Sequence, residues 1–185
     1  MDNYIEIISI FYKDLDREYT IRQVSKQIKK SYAYTNIRCR ELISQGILSK
    51  KVVGASILCR LNYKSDKTLG LLVLKSILEK TAEIEKEKKN ENDKKLAEDF
   101  KEVERSLKEF SESIFFAQNK FHVICKNEME LNQKLSSLNL SLKNSSGFAV
   151  YDKQSFVQYV KQNGLKEIIL IYGFENFWRV IADGI

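Results

Sequence analysis

The chain has 185 residues, of which 43% are hydrophobic and 30% are charged, and this balance excludes a disordered tail. It contains no proline and seven glycines, which disfavours a turn-rich sandwich or barrel, and no apolar run reaches the length of a transmembrane helix. The net charge is +6, and residues 1–65 alone carry 12 Lys and Arg against 6 Asp and Glu. A basic block of this kind is typical of a module that binds phosphates.

Two helices are predicted at the start of the chain. Residues 4–12 are apolar nearly all round, which predicts a buried helix. A polar connection over residues 14–18 follows. Thr20 can then cap a second helix, because residues 21–28 place their apolar side chains on one face.

The third predicted helix carries the most informative pattern. Lys29 and Lys30 make the turn before it, Ser31 caps it, and Gly46 ends it because glycine tolerates the left-handed conformation. On a helical wheel, one side carries Tyr32, Thr35, Cys39, Leu42 and Ile43, and the other carries Ala33, Tyr34, Ile37, Arg38, Arg40 and Glu41.

Ile37 is the unexpected member of the second, polar side of this helix. An exposed apolar residue beside two arginines and a tyrosine fits a helix in a major groove, where thymine methyl groups are apolar partners. It equally fits an isolated surface isoleucine, which is common in proteins.

After the third helix the hydrophobic period changes from that of a helix to that of a strand. Residues 47–53 and 55–61 predict two strands joined by a turn at Gly54. Lys50 and Lys51 lie near the tip of this hairpin, where they can reach the phosphates of a flanking groove.

The order of three helices and a two-stranded wing resembles the archaeal winged helix-turn-helix regulators of the MarR-like kind. The likeness is carried by residues 20–28, residues 40–48 and a hairpin that ends in Arg60-Leu61-Asn62-Tyr63. It implies a DNA-binding domain over residues 1–66 in a homodimeric transcriptional regulator that binds double-stranded DNA. A cytoplasmic, nucleoid-associated protein without a membrane partner is therefore expected.

The expected contacts to DNA fall into two groups. Base-edge contacts are predicted for the polar side of the third helix, and phosphate contacts for the basic residues around it. The base-edge residues are Tyr34, Ile37, Arg38 and Arg40, and the phosphate-binding residues are Arg22, Lys29, Lys30, Ser31, Lys50 and Lys51.

Residues 67–112 predict a helical linker or dimerisation segment. Apolar stripes run from Leu71 to Ile84 and from Leu96 to Ile114, on either side of a charged run. A helical hairpin that turns at residues 90–92 and one long helix both fit the pattern. Either stripe could pack on the C-terminal domain, but two-fold operators favour a dimer interface.

Helix and strand alternate over residues 113–185, which predicts a small α/β accessory domain and an α+β fold overall. This domain could bind a protein partner or a small effector. Strands are predicted over residues 113–116, 121–125, 147–152 and 170–172, and helices over residues 128–140, 155–161 and 175–181.

Residues 165–178 resemble the tail of the minimal nucleotidyltransferase domains that are fused to archaeal winged helices. Such enzymes need a Gly-Ser turn for the triphosphate and spaced carboxylates for metal ions. The chain has no Gly-Ser pair, only four residues separate Phe116 from Phe121, and Asp152 is a lone carboxylate. We therefore expect a degenerate domain with no catalytic residue, no metal site and no cofactor, and a protein that is not an enzyme.

Two other functions fit the sequence. One is a protein-docking or architectural winged helix in a replication or chromosome-maintenance complex, and the other is an inactive, antitoxin-type relative of the nucleotidyltransferases.

The single histidine, His122, lies in an apolar strand and is expected to be structural. The three cysteines form no CxxC pair and are expected to be reduced core residues.

Overall fold

The computed structural model describes residues 2–12, 14–15, 17–87, 91–138, 147–165 and 167–184, and only the backbone of residues 2–3, 86–87, 91–95 and 137–138. The fold is α+β, as predicted, with helices and two separate sheets. Two compact units divide the chain: residues 1–75 with 164–166, and residues 76–163 with 167–185. No helix in the described part of the chain combines the length and apolarity needed to cross a membrane.

The first unit contains three helices and a small antiparallel sheet, and it extends beyond residue 66 into the next helix. The strand order is β1-β3-β2, so the last strand in sequence lies at the centre. The elements are α1 (Asp2–Phe11), β1 (Tyr19–Thr20), α2 (Ile21–Gln27), α3 (Tyr32–Ser44), β2 (Leu48–Val53) and β3 (Ser56–Leu61). The three predicted helices and the predicted hairpin are confirmed, whereas β1 was not predicted.

Side-chain caps fix where the second and third helices begin. The Thr20 side chain accepts a hydrogen bond from the Gln23 backbone, and the Gln23 side chain accepts one from the Thr20 backbone at 2.8 Å. This reciprocal capping box satisfies amides that the helix leaves without partners. Ser31 caps α3 by accepting from the Tyr34 amide at 3.3 Å. Both predicted caps are confirmed.

Backbone conformation confirms the predicted turns of the first unit. Lys29 has φ 55°, Gly46 has φ 73° after α3, and Gly54 has φ 58° at the tip of the hairpin. The core between these elements is apolar and closely packed, and edge-to-face packing of Phe11 on Tyr19 contributes to it. Its buried residues include Ile7, Ile8, Phe11, Val24, Cys39, Leu42, Leu48, Cys59 and Leu61.

The charged middle of the chain forms two helices, α4 (Asp66–Glu87) and α5 (Glu91–Leu107), and the unit boundary falls within α4. The ammonium of Lys80 lies 2.8 Å from the Glu104 carboxylate. One straight helix would separate these residues by about 36 Å, so the single long helix is excluded. Of the predicted turn at residues 90–92, Glu91 and Asn92 belong instead to the first turn of α5, and Asn90 lies outside the described residues.

The second unit is built on a four-stranded sheet of order β6-β5-β4-β7, in which the β5–β6 pair is parallel and the other pairs are antiparallel. The predicted alternation of helix and strand is confirmed, although residues 139–140 of the predicted 128–140 helix lie outside the described residues. The elements after α5 are β4 (Ser111–Ala117), β5 (Lys120–Cys125), α6 (Glu128–Leu138), β6 (Phe148–Tyr151), α7 (Lys153–Asn163), β7 (Ile169–Tyr172) and α8 (Phe174–Gly184).

Both faces of this sheet are covered by helices. On one face, Phe100 of α5 packs against Phe116 and Phe121, with ring centroids 5.4 and 5.9 Å apart. On the other face, Phe115 packs against one aromatic ring of α7 and one of α8, with ring centroids 5.5 and 5.6 Å apart. Because side chains alternate along a strand, neighbouring residues of β4 serve the two cores.

The structure decides the role of one predicted apolar stripe. Phe100, Val103 and Leu107 of α5 are buried in the core of the second unit, so this stripe packs on the C-terminal sheet. On α4, by contrast, Ile77 is 42% exposed and Leu78 is 47% exposed. Of the two stripes, that of α4 retains apolar surface on the chain as described.

Candidate nucleic-acid interface

Helix α3 has one buried face and one exposed face. Thr35, Cys39 and Leu42 are fully buried, as the helical wheel predicted. The opposite face, spaced at four, three and four residues, consists of Ala33, Ile37, Arg40 and Ser44, all of them exposed. Ile37 is 57% exposed, and it lies in the middle of this face. The exposed position predicted for Ile37 is therefore confirmed.

Tyr32 was predicted on the buried side of α3, and this was wrong, because it is 52% exposed. It is the first residue of the helix, and it lies one turn before Thr35 and Asn36. A helical wheel assigns angles but does not show that packing begins only with the next turn. In the sequence, Tyr32 follows Ser31 and the turn formed by Lys29 and Lys30.

Arg38 is held in a network at the edge of the exposed face. Its guanidinium donates to the Glu41 carboxylate at 2.8 Å and lies 5.6 Å from the Tyr34 ring centroid. The Tyr4 hydroxyl of α1 donates to the same Glu41 oxygen at 3.1 Å. The hydrogen bond from Arg38 is the main cause that holds the pKa of Glu41 below its ordinary value. This bond uses one Arg38 N–H donor within the domain.

Arg40 donates to a neutral side chain and not to a carboxylate. Its Nε donates to the neutral Asn36 side chain at 3.1 Å, and the residue is exposed. The two arginines, which had the same predicted role, therefore differ in their hydrogen-bond partners. Arg40 shares the centre of the exposed face with Ile37, whereas Arg38 lies beside the buried face and belongs to an ion pair.

The predicted phosphate-binding residues of the turn are all exposed. Lys29, Lys30 and Ser31 precede the first turn of α3, and Arg22 lies on the exposed face of α2. The Ser31 hydroxyl accepts a hydrogen bond from the Tyr34 amide as a cap, which does not use its own O–H donor. Positive charge next to a helix N-terminus is a suitable setting for a phosphate.

The wing lysines do not form one patch. Lys50 pairs with Cys59 and Lys51 pairs with Leu58 across the hairpin, so the two side chains leave opposite faces of the wing. The next residues, Val52 and Val53, are exposed at the tip. Sequence analysis missed this apolar tip, because period-two alternation suggests that one of the two valines is buried.

No protein-family model, curated protein or solved structure matches the chain. Among the residues that the structure describes, no group of three or more His, Cys, Asp and Glu is arranged to hold a metal ion.

Proposed function

We propose that residues 1–66 form a winged helix-turn-helix domain that binds duplex DNA, and that the chain acts as a homodimeric transcriptional regulator. The succession α1-β1-α2-α3-β2-β3 supports this proposal, together with the β1-β3-β2 sheet that projects β2 and β3 as a wing. In such a domain the helix after the turn lies in the major groove and the wing lies beside it.

The exposed face of α3 is the observation that carries the proposal. Ile37 and Arg40 lie at its centre, and neither is used to pack the domain. An arginine fork can pair with the N7 and O6 acceptors of guanine, and an apolar side chain can contact the thymine methyl group. A face that combines both chemistries matches the edges displayed in the major groove.

Basic residues around this face supply the sequence-independent part of binding. Lys29 and Lys30 precede α3, and Lys50 and Lys51 lie on the two faces of the wing. Phosphate contacts of this kind position the helix and release counterions, so the affinity falls as salt increases. In a two-fold dimer the two copies of α3 would reach successive major grooves about 34 Å apart.

Selection of bound duplexes from a random pool tests this function. We expect the wild-type protein to enrich a palindromic motif, and Arg40→Ala to lose the preference at one position of each half-site. Lys161→Ala is the matched control, because it removes an exposed positive charge from α7 of the second unit. No enrichment and no binding at low salt would reject the proposal.

Replacing Arg38 instead separates base contact from helix positioning. Because Arg38 pairs with Glu41, Arg38→Ala should change the selected motif less than Arg40→Ala does. Removing a bidentate pairing with guanine costs about 1–3 kcal/mol of discrimination, and we expect that cost for Arg40 alone. Binding of matched and mismatched duplexes by each variant measures the difference. Equal relaxation by both variants would show that Arg38 contributes to base discrimination as much as Arg40 does.

A further inference from the structure

A groove lies between α7 and α8 on the surface of the second unit, and both helices belong wholly to that unit. Its volume is about 390 Å³. This volume falls within the range of about 300–1,000 Å³ that is usual for sites that bind small molecules. We call it the α7–α8 groove.

The floor of the α7–α8 groove is apolar. Val180 of α8 is buried and Val157 of α7 is half-buried, whereas the charged and amide side chains that line the groove are exposed. The helices approach closely here, because a Cβ built at Gly184 would lie 2.5 Å from Val157 Cγ2. Among the described residues that line the groove, none is aromatic. Such a floor suits an aliphatic chain, since an aromatic ring would find no ring to stack on.

Two lysines of α7 stand at the rim of the groove. Lys153, Val157 and Lys161 follow one another at intervals of four residues, so they lie along one side of the helix. The ammonium of Lys153 lies 3.1 Å from the Glu112 carboxylate. Lys161, by contrast, has no ion-pair partner within the described part of the chain. Gln158 also lines the groove, and it is a neighbour of Lys161 on the helix surface because the two are three residues apart.

We propose that the α7–α8 groove binds a medium-chain aliphatic carboxylate. The aliphatic chain lies over Val157 and Val180, and the carboxylate accepts hydrogen bonds from Lys161 and from the Gln158 amide. The α7 backbone between Lys153 and Lys161 is about 12 Å long, which is comparable to an extended chain of this class. The site lies in the second unit alone, and it does not depend on DNA binding by the first.

Charge and size favour this ligand over two others. Asp183 lines the groove from α8 and is exposed, so it repels a head group that carries two negative charges, such as a phosphate. A helix of a partner protein needs a larger surface, because a stable protein interface buries about 800 Å² on each side. The groove follows only about two turns of α7, which is enough for a small molecule.

Titration calorimetry of the full chain with octanoate tests the proposal, with octan-1-ol and octylammonium as ligands of the same chain length. We expect one octanoate to bind per chain, at least about tenfold more tightly than octan-1-ol, because hydrogen bonds to a charged group are the stronger ones. Octylammonium should bind more weakly than octanoate, since it places a positive charge near Lys161. No binding of octanoate, or an affinity that either other ligand equals, would overturn the proposal.

Lys161→Gln separates the contribution of the carboxylate from that of the aliphatic chain. This variant should weaken octanoate binding about tenfold and leave octan-1-ol binding unchanged, because the alcohol carries no charge for the ammonium to pair with. Lys126→Gln is the matched control, because it removes an exposed charge from the same unit outside the groove. An unchanged affinity for octanoate in Lys161→Gln, or an equal loss in both variants, would overturn the role of Lys161.

Valine methyl resonances locate the bound chain. In a sample labelled at the valine methyl groups, octanoate should shift the signals of Val157 and Val180 and leave that of Val24, which is buried in the first unit, unchanged. Val157→Thr keeps the shape of the side chain but adds a hydroxyl, so it should weaken octanoate and octan-1-ol alike. Shifts confined to other valines would overturn the placement in the α7–α8 groove.

Discussion

His122 is a buried histidine whose hydrogen bonds define its tautomer. Its Nε2 lies 3.2 Å from the Ala117 carbonyl oxygen, which can only accept, so this nitrogen carries the proton. The Tyr151 hydroxyl then donates to Nδ1 at 3.1 Å, and the ring stacks on Phe115 with centroids 4.6 Å apart. Burial is the main cause that lowers the pKa of His122 below 6.5, and the charge of Lys120 adds to it.

Stability should therefore fall as the pH decreases below about 6.5. Above that pH His122 is neutral in both states, whereas below it the unfolded chain binds a proton that the folded chain excludes until its own lower pKa is reached. One such group changes the free energy of unfolding by at most about 1.4 kcal/mol per pH unit. Urea unfolding between pH 7.5 and 5.5 measures this slope.

His122→Phe provides the comparison. The phenyl ring keeps the stacking position but does not titrate, so the difference in pH slope between the two proteins belongs to His122. Asp99 has a raised pKa through burial, but it is present in both proteins and its contribution cancels. Parallel stability curves for the two proteins would contradict the prediction.

Among single residues, the exposed face of α3 was predictable from the sequence, whereas the different settings of Arg38 and Arg40 were not predicted. Ile37 was identified because a helical wheel depends only on spacing. The Arg38–Glu41 pair itself is local, because residues three apart are neighbours on a helix, whereas the Tyr4 hydroxyl that shares the Glu41 oxygen comes from another helix, 37 residues away. Contacts at such a separation depend on tertiary packing, which no local pattern encodes.

At the scale of elements, Gly173 holds the end of β7 against the start of β4. It has φ 67°, and a Cβ built there would lie 2.0 Å from the Glu112 carbonyl oxygen. The Asn176 side chain donates to the same oxygen at 3.1 Å. Both the backbone conformation and the close approach thus require glycine.

Gly173→Ala should destabilise the second unit by about 3 kcal/mol or more, since the strained φ adds to a clash with backbone atoms that cannot move freely. Gly54→Ala is the matched control: Gly54 has φ 58°, but a Cβ there meets no atom within 4 Å. Gly54→Ala should lower the free energy of unfolding by only about 1 kcal/mol. Denaturant unfolding measures the free energy of unfolding of both variants. Equal losses of stability would show that backbone strain alone, and not the clash with Glu112, determines the effect.

The elements themselves were largely predictable, because their signals are local. Thr20 and Ser31 act as caps, Gly46 and Gly54 adopt positive φ, and the alternating helices and strands of residues 113–185 occur in the predicted order. β1 was missed because two residues cannot display a period. The sequence did not determine whether the α5 stripe packs on the C-terminal domain or on a second chain, because apolar spacing does not show which surface covers it.

For the whole molecule, the charge distribution predicts which part of the chain would bind DNA under the proposed function. The net excess of +6 equals that of residues 1–65, whereas residues 66–113 carry 11 basic and 13 acidic residues. A net charge concentrated in this way should attract a polyanion mainly to the first unit. The salt dependence of binding should therefore respond to lysines of the first unit and not to those of the second.

The Lys50→Gln/Lys51→Gln variant tests this division. If both lysines neutralise phosphates, the slope of log affinity against log salt should decrease by about 1.8, or about 0.9 for each phosphate that is no longer neutralised. Lys126→Gln/Lys161→Gln removes the same charge from exposed positions of the second unit and should leave the slope unchanged. Because Lys50 and Lys51 leave opposite faces of the wing, a decrease of about 0.9 would mean that only one face meets the duplex. Equal decreases of the slope in the two double variants would contradict this prediction. The affinity for DNA would then depend on the net charge of the whole chain and not on the surface of the first unit.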